Sequence, residues 1–202
     1  MLRSVKEFEN ARAKLLNGQG CGRVKDIYFD DQSWAVRFLK VSLDPIRFGH
    51  KQVLITPEQV REFSADGCEL NLNEIELGYC PLDSSYLPVC AQYASFSISN
   101  PRQWKHRNTD PHLRSANAVR SYTLYAGTEV AGMAADFLIG LKEWKIRYIA
   151  VEQLEQNKRI CFLIHPENIE RISWSTQRIV ASYLDPVLSA PGTATLVSAA
   201  AA

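Results

Sequence analysis

The sequence contains no apolar run long enough to cross a bilayer and no excess of either charge. A transmembrane helix needs about 20 consecutive apolar residues, and no stretch approaches that length. The 23 Lys and Arg residues nearly balance the 22 Asp and Glu residues, which leaves a formal net charge of +1. Because non-specific nucleic-acid binding requires the neutralisation of many phosphates, this balance disfavours it. The opening MLRSVKEFEN lacks the apolar core of a signal peptide, so we expect a soluble, cytoplasmic protein.

Cysteine and histidine are too sparse and too scattered to indicate a metal or catalytic site. The cysteines are odd in number and include no C-x-x-C pair, namely Cys21, Cys68, Cys80, Cys90 and Cys161. Zinc and disulfide frameworks are therefore not indicated, and free, mostly buried thiols are expected. The histidines are equally dispersed, and no nucleophile has a recognisable partner. We therefore predict no catalytic residues, no metal ligands, no cofactor and no enzymatic activity.

One stretch of the sequence occurs twice. Residues 26–41, DIYFDDQSWAVRFLKV, return as DFLIGLKEWKIRYIAV at residues 136–151. Four residues are identical at a spacing of 110 positions, namely Asp26, Trp34, Arg37 and Val41 with Asp136, Trp144, Arg147 and Val151. VLITPEQVREFS (53–64) likewise matches FLIHPENIERIS (162–173), and LRS opens both copies at residues 2 and 113. Such self-similarity indicates a duplicated structural unit.

The repeated stretch has the alternation of a β-hairpin. Ile27 and Phe29 share one face, residues 30–33 form the turn, and Trp34, Val36 and Phe38 return on one face. With 46% apolar and 10% aromatic residues, the chain has enough material for packed cores. Several short strands with regular turn signals are typical of a small barrel or sandwich. The predicted fold is therefore mainly β.

Other positions in the repeat have structural interpretations. The adjacent carboxylates Asp30 and Asp31 suggest a catalytic pair, but their counterparts in the second copy are Gly140 and Leu141, which favours a turn. The repeated tryptophans are predicted to anchor the core of each copy. Ser4 and Ser115 are predicted to cap a helical turn. Pro57 and Pro166 are predicted to end a strand, and CELNLNEIEL (68–77) to run from a last strand into a short helical turn.

These patterns predict two units, at residues 1–81 and 112–191, with a linker at 82–111 and a disordered tail at 192–202. The linker contains a small basic patch with one aromatic residue, formed by Arg102, Trp104, Lys105, His106 and Arg107. Two interpretations stay open for this patch: an exposed linker surface, or a contact for an anion or a binding partner.

With these motifs in hand, the repeat resembles the PRC-barrel family. That family includes the cytoplasmic domain of the photosynthetic reaction centre H subunit and the C-terminal domain of ribosome-maturation factors. The resemblance is carried by the LRS opening, the spacing from Gly22 to Asp26, the hairpin FDDQSWAVRFL and the stretch VLITPEQV. The second copy keeps LRS, Gly132, Asp136, EWKIRYI and FLIHPENI. The resemblance implies two tandem, strongly bent PRC-type β-barrels with short helical turns, and it carries over no catalytic residues.

The leading functional hypothesis is a non-enzymatic adaptor whose two barrels, related by a pseudo-twofold axis, bind a protein partner. The first alternative is association with RNA or ribosome assembly through the basic patch. The second is a peripheral accessory protein of an electron-transport complex, by likeness to the H subunit. Homodimer formation is compatible with each hypothesis, and the identity of the partner stays open.

Overall fold

The computed structural model describes residues 1–64, 66–96, 110–155 and 158–190. The fold is mainly β, as the sequence predicts, and its strands form two sheets. No helix within these ranges is long and apolar enough to cross a membrane. The chain divides into two compact units, which we name after their central strands. The β3 unit contains Glu7–Asp30 and Val36–Ser115, and the β10 unit contains Met1–Lys6, Asp31–Ala35 and Ala116–Ala202.

The β3 unit is built on a sheet with the strand order β5-β4-β3-β2-β7-β6, in which β8 also pairs with β3. Its strands are β2 (Arg12–Lys14), β3 (Gly20–Asp30), β4 (Val36–Leu43), β5 (Gln52–Ile55), β6 (Val60–Ser64), β7 (Gly67–Leu70) and β8 (Leu113–Ser115). Its helices are α2 (Pro45–Phe48), α3 (Glu74–Gly78) and α4 (Val89–Phe96), with 3₁₀ turns at Pro57–Gln59 and Asp83–Ser85. The short helix α1 (Val5–Phe8) enters this unit from the N-terminus.

The β10 unit has the strand order β13-β14-β9-β10-β11-β12-β15, and β1 also pairs with β10. Its strands are β1 (Leu2–Ser4), β9 (Thr123–Ala126), β10 (Glu129–Gly140), β11 (Lys145–Glu155), β12 (Lys158–Ile164), β13 (Ile169–Ser173), β14 (Arg178–Ala181) and β15 (Leu188–Ala190). Helix α5 (Ala116–Val119) and a 3₁₀ turn at Pro166–Asn168 complete it. Within the described residues, no pairing joins the outermost strands of either sheet.

The two central hairpins have the same register, which confirms the hairpin predicted from the repeat. In β3–β4, Ile27 lies opposite Leu39, and in β10–β11, Phe137 lies opposite Ile149. Both hairpins also have their bulges at corresponding positions. The predicted strand ends are confirmed too, because β5 and β12 both stop just before a proline that opens a 3₁₀ turn.

The repeated glycine is required by a close approach of two strands. A Cβ atom added at Gly22 would lie 2.2 Å from the carbonyl oxygen of Ser42, and one added at Gly132 would lie 2.5 Å from that of Glu152. Gly132 also has a φ of +147°, which residues with a side chain rarely adopt. The spacing from Gly22 to Asp26 therefore reflects backbone packing beside a bulge.

The compact units differ from the predicted division of the chain. The stretches Met1–Lys6 and Asp31–Ala35 belong to the β10 unit, and the β3 unit extends through the predicted linker to Ser115. As a result, each unit contains the LRS strand that opens the other sequence copy. Each long central strand can pair with two short strands along its length. In the β3 unit, β2 pairs with residues 20–23 of β3, and β8 pairs with residues 28–30 of the same strand. The strand β1 has the corresponding position along β10.

The repeated tryptophans lie in corresponding turns with left-handed backbone conformations, at φ values of 60° for Trp34 and 48° for Trp144. The Trp34 side chain is buried, as predicted, whereas Trp144 is half-buried. Trp34 belongs to the β10 unit, where its carbonyl oxygen accepts a hydrogen bond from the Ile146 amide at 2.8 Å. The tip of the first hairpin therefore belongs to the unit that holds the other sequence copy.

Candidate protein-binding surfaces

The predicted basic patch, Arg102, Trp104, Lys105, His106 and Arg107, lies outside the residues that the structure describes. Part of the predicted linker lies within them and is packed on the β3 unit. The Tyr86 ring contacts the Phe38 ring at 5.1 Å, and the Asp83 carboxylate accepts a hydrogen bond from the Tyr28 hydroxyl at 2.7 Å. Asp83 also pairs with Lys40 at 2.9 Å. Asp83 and Tyr86 of the predicted linker are therefore part of the packed structure of this unit.

If the basic patch binds RNA, replacing Arg102, Lys105 and Arg107 together with alanine should weaken binding strongly. Each lost phosphate contact should also lower the slope of log K against log salt by about 0.7–0.9. Fluorescence anisotropy with single-stranded RNA between 50 and 200 mM salt measures both effects. A triple change at exposed Arg12, Lys51 and Arg61 serves as a control of equal charge. Equal binding by the two variants would contradict a role for the patch.

Each repeated aspartate fastens a strand within its own unit. In the β3 unit, Asp26 accepts hydrogen bonds from the Ile27 amide at 2.8 Å and from the Ser115 hydroxyl at 2.5 Å. In the β10 unit, Asp136 accepts the same two bonds from Phe137 and Ser4. Each aspartate thereby fastens the LRS strand that joins its sheet. Ser4 also accepts a hydrogen bond from the Lys6 amide at 3.0 Å, which agrees with its predicted capping role.

Burial shifts the titration of Asp136. Its side chain is only 1% exposed, and this desolvation raises the pKa of its carboxyl group above the ordinary value. The Ser4 hydroxyl, the Phe137 amide and the charges of Lys6 and Arg120 oppose the increase without cancelling it. A raised carboxyl pKa is often found at catalytic sites, but here the carboxylate lies in the core against a strand.

The surroundings of four cysteines, Cys21, Cys68, Cys80 and Cys90, favour the neutral thiol over the thiolate. Burial raises the pKa of Cys21 to about 11 and that of Cys68 to about 12. Desolvation also raises the pKa values of Cys80 and Cys90. Since the thiolate is the nucleophile and the metal ligand, these side chains are suited to packing. Among the described residues, no three His, Cys, Asp or Glu side chains are grouped so as to hold a metal ion.

A cleft of about 560 Å³ lies on the open face of the β10 sheet. Three large apolar side chains in it are exposed, with Val130 at 59%, Met133 at 50% and Leu154 at 71%. Two charged side chains, Glu152 and Arg159, also line it. Exposed apolar groups gathered in one concave surface are typical of interaction sites, so this cleft is the first candidate surface.

A second candidate surface lies on two helical turns of the β3 unit, and we name it the α2–α3 surface. Its members are Ile46, Ile75 and Tyr79, which are 94%, 73% and 85% exposed. Ile75 and Tyr79 are four residues apart and therefore lie on the same side of the α3 turn. The two turns are joined by an ion pair between Arg47 and Glu74, which directly adjoin Ile46 and Ile75 in sequence.

The α2–α3 surface is held by well-formed helix caps. The Asp44 side chain accepts a hydrogen bond from the Ile46 amide at 2.9 Å and so begins α2. The Asn73 side chain accepts bonds from the Ile75 and Glu76 amides, and the Glu76 carboxylate accepts one from the Asn73 amide at 2.8 Å. This reciprocal arrangement is a capping box. Because these caps fix the backbone of both turns, the backbone needs little further ordering when the exposed apolar side chains bind a partner.

The duplication relates the two surfaces. Residues 110 positions before Val130, Met133 and Leu154 are Gly20, Arg23 and Asp44. In the β3 unit Asp44 begins α2, and Arg47 of that helix donates a hydrogen bond to the Gly20 carbonyl oxygen at 3.0 Å. At the corresponding place in the β10 unit, β11 continues to Glu155, which pairs with Lys158 of β12, and the residues described there form no helix. Helix α2 therefore lies beside this face in the β3 unit. In the β10 unit, Val130, Met133 and Leu154 on the corresponding face are exposed.

The sequence predictions missed both surfaces. The segment NEIELGY (73–79) carries a signal, since Ile75 and Tyr79 lie at helical spacing among polar residues. For the cleft, the alternation of β11 places Glu152 and Leu154 on one face of the strand, but it does not reveal that Leu154 is 71% exposed among the described residues. The histidine that replaces Thr56 in the second copy, His165, precedes a 3₁₀ turn, and its ring lies 4.9 Å from the Tyr148 ring in a tilted arrangement.

A search of protein-family models finds none that matches this chain, and a search of curated proteins finds no match either.

Proposed function

We propose that this chain is a non-enzymatic adaptor, built from two PRC-type barrels, that binds a protein partner through the α2–α3 surface. The PRC-type architecture is supported by the motifs of the repeat and by the equal register of its two hairpins. A non-enzymatic role is supported by the roles of the groups with shifted pKa values, since Asp136 fastens a strand and the thiols pack in the interior.

The single observation that carries the proposal is the exposure of Ile46, Ile75 and Tyr79 on capped turns. One exposed apolar residue is ordinary on a protein surface. Here two large ones, Ile46 and Ile75, directly adjoin the same ion pair in sequence, and Tyr79 lies one helical turn beyond Ile75. Burying apolar surface gains about 25 cal/mol per Å², and tyrosine is enriched among the residues that contribute most to interfaces. The partner is therefore a protein with an apolar surface that receives these side chains.

The test compares the wild-type chain with the double variant Ile75→Lys/Tyr79→Lys. If both side chains are buried by the partner, the variant should lose about 2 kcal/mol or more of binding free energy, which is roughly a 30-fold increase in Kd. The partner is first captured in stoichiometric amounts by affinity purification. Its binding is then measured by calorimetry with both proteins pure.

The matched control is Ser175→Lys/Thr176→Lys, which adds the same charge at two exposed positions of the β10 unit. This control should bind like the wild type, and all three proteins should unfold at nearly the same temperature, because none of the four positions is buried. The proposal fails if every stoichiometric partner binds the α2–α3 variant as tightly as it binds the control.

A further inference from the structure

The open cleft of the β10 unit presents a different chemistry from the α2–α3 surface, because it combines apolar residues with one acid and one base. Met133 on β10 lies opposite Glu152 on β11, and Leu154 on β11 lies opposite Arg159 on β12. Side chains of directly paired residues project from the same face of a sheet. The cleft face therefore carries two apolar residues, Met133 and Leu154, and two oppositely charged residues, Glu152 and Arg159, on three adjacent strands.

The positions of these four residues make the face complementary to itself. Leu154 follows Glu152 by two residues on β11 and has Arg159 as its neighbour on β12, so it lies between the acid and the base. Consider a second copy turned onto this face about a twofold axis that runs between the two charges. Each Glu152 then meets the partner's Arg159, and Leu154 lies near the axis beside the partner's Leu154. A twofold interface requires such self-complementarity.

We propose that this cleft is the interface of a homodimer. Leu154 packs beside the partner's Leu154, two symmetric ion pairs join Glu152 to the partner's Arg159, and Val130 and Met133 extend the apolar surface that the second copy covers. The charges set the register and the apolar groups supply most of the binding free energy. The dimer then carries two copies of the α2–α3 surface, so the adaptor is bivalent. This inference uses a separate surface and does not require the proposed partner.

The balance of charge in the cleft favours a second copy of the chain as its binding partner. A face designed for a strongly acidic or basic partner would carry charges of one sign, whereas this face carries one of each at positions that a twofold axis exchanges. A different protein and the chain's own residues 191–202 are the competing occupants. The experiment separates all three.

The decisive experiment is a charge exchange, read as the dimer dissociation constant from sedimentation equilibrium of the full chain. Glu152→Lys alone and Arg159→Glu alone each place like charges across both symmetric contacts, and each should raise the constant at least about tenfold. The double variant Glu152→Lys/Arg159→Glu restores opposite charges in both contacts and should return to within about threefold of the wild type. Leu154→Lys should abolish dimer formation, and Glu62→Lys, on an exposed position of the β3 unit, should leave it unchanged.

Several outcomes would overturn the proposal. A wild-type chain that stays monomeric at 100 µM has no such interface. If that monomer dimerises only after truncation at Ala190, the cleft belongs to the chain's own terminus. A dimer that survives Leu154→Lys uses another surface. Failure of the double variant to recover, with thermal unfolding unchanged, means that these charges do not face each other. Loss of dimer formation through Ile75→Lys/Tyr79→Lys would assign the interface to the α2–α3 surface instead.

Discussion

A fragment that ends at residue 110 is expected to be about 4 kcal/mol less stable than one that ends at residue 118, because only the longer fragment contains β8. Leu113 of β8 is 1% exposed and packs with Tyr28, Phe38 and Leu54. Burial of such a side chain contributes about 2–3 kcal/mol. The Ser115 hydroxyl donates to Asp26, and a hydrogen bond to a charged group contributes about 1.5–3 kcal/mol. Together these losses are a large fraction of the stability of a small domain.

Urea unfolding of fragments 1–110 and 1–118, followed by circular dichroism and sedimentation, measures the difference. The residues of the β3 unit are present in both fragments apart from residues 111–115. A third fragment, 1–118 with Leu113→Ala and Ser115→Ala, separates the side chains from the backbone pairing and should behave much like the short one. If fragments 1–110 and 1–118 unfold at the same urea concentration as monomers, β8 is not an integral strand of this sheet.

Replacing Asp136 with alanine should cost about 3 kcal/mol at low pH and less as the pH rises. At low pH the variant leaves the Ser4 hydroxyl and the Phe137 amide without an acceptor in a buried site, and each such group costs about 1–3 kcal/mol. The pH dependence follows from the raised pKa of Asp136. The folded protein holds this proton more tightly than the unfolded chain, so wild-type stability falls as the pH increases from the ordinary pKa of 3.8 through the higher folded value.

The variant Asp136→Asn should remove this contribution to the pH dependence, because an amide does not titrate. It should also cost less than Asp136→Ala, since it keeps the shape and one acceptor. Free energies of unfolding from urea titrations between pH 4 and pH 8 give both effects. Asp26→Asn is the matched control: it changes the same motif at a half-buried position. Parallel stability profiles for the wild type and Asp136→Asn would contradict the assigned cause.

The local pattern of the sequence was sufficient to predict the hairpins. Alternation defined the two arms, and the turn predicted at residues 30–33 lies at 31–33, because short polar residues there interrupt two apolar segments while Asp30 still belongs to β3. The prolines at 57 and 166 ended their strands because proline has no amide to donate. CELNLNEIEL likewise contained a strand and a helical turn, since the Asn73–Glu76 capping box is a local interaction.

Ser4 illustrates the limit of that reasoning. Its spacing to a short helix predicted a cap, and the structure has that contact. Its bond to Asp136, at a separation of 132 residues, leaves no trace in the neighbouring sequence. The same holds for Leu154, whose place on a strand face is set by alternation but whose exposure depends on what the rest of the fold leaves uncovered.

Local sequence patterns are sufficient to predict a mainly β fold, a central hairpin that occurs twice, and the positions at which the strands turn and end. These features depend on side-chain periodicity and on the backbone preferences of individual residues, which act over a few positions. Which sheet each LRS strand joins depends on long-range packing, because the two strands are identical and either could pair with either edge. Long-range packing also brings α2 beside β3 in one copy, where Arg47 of α2 donates a hydrogen bond to the Gly20 carbonyl oxygen.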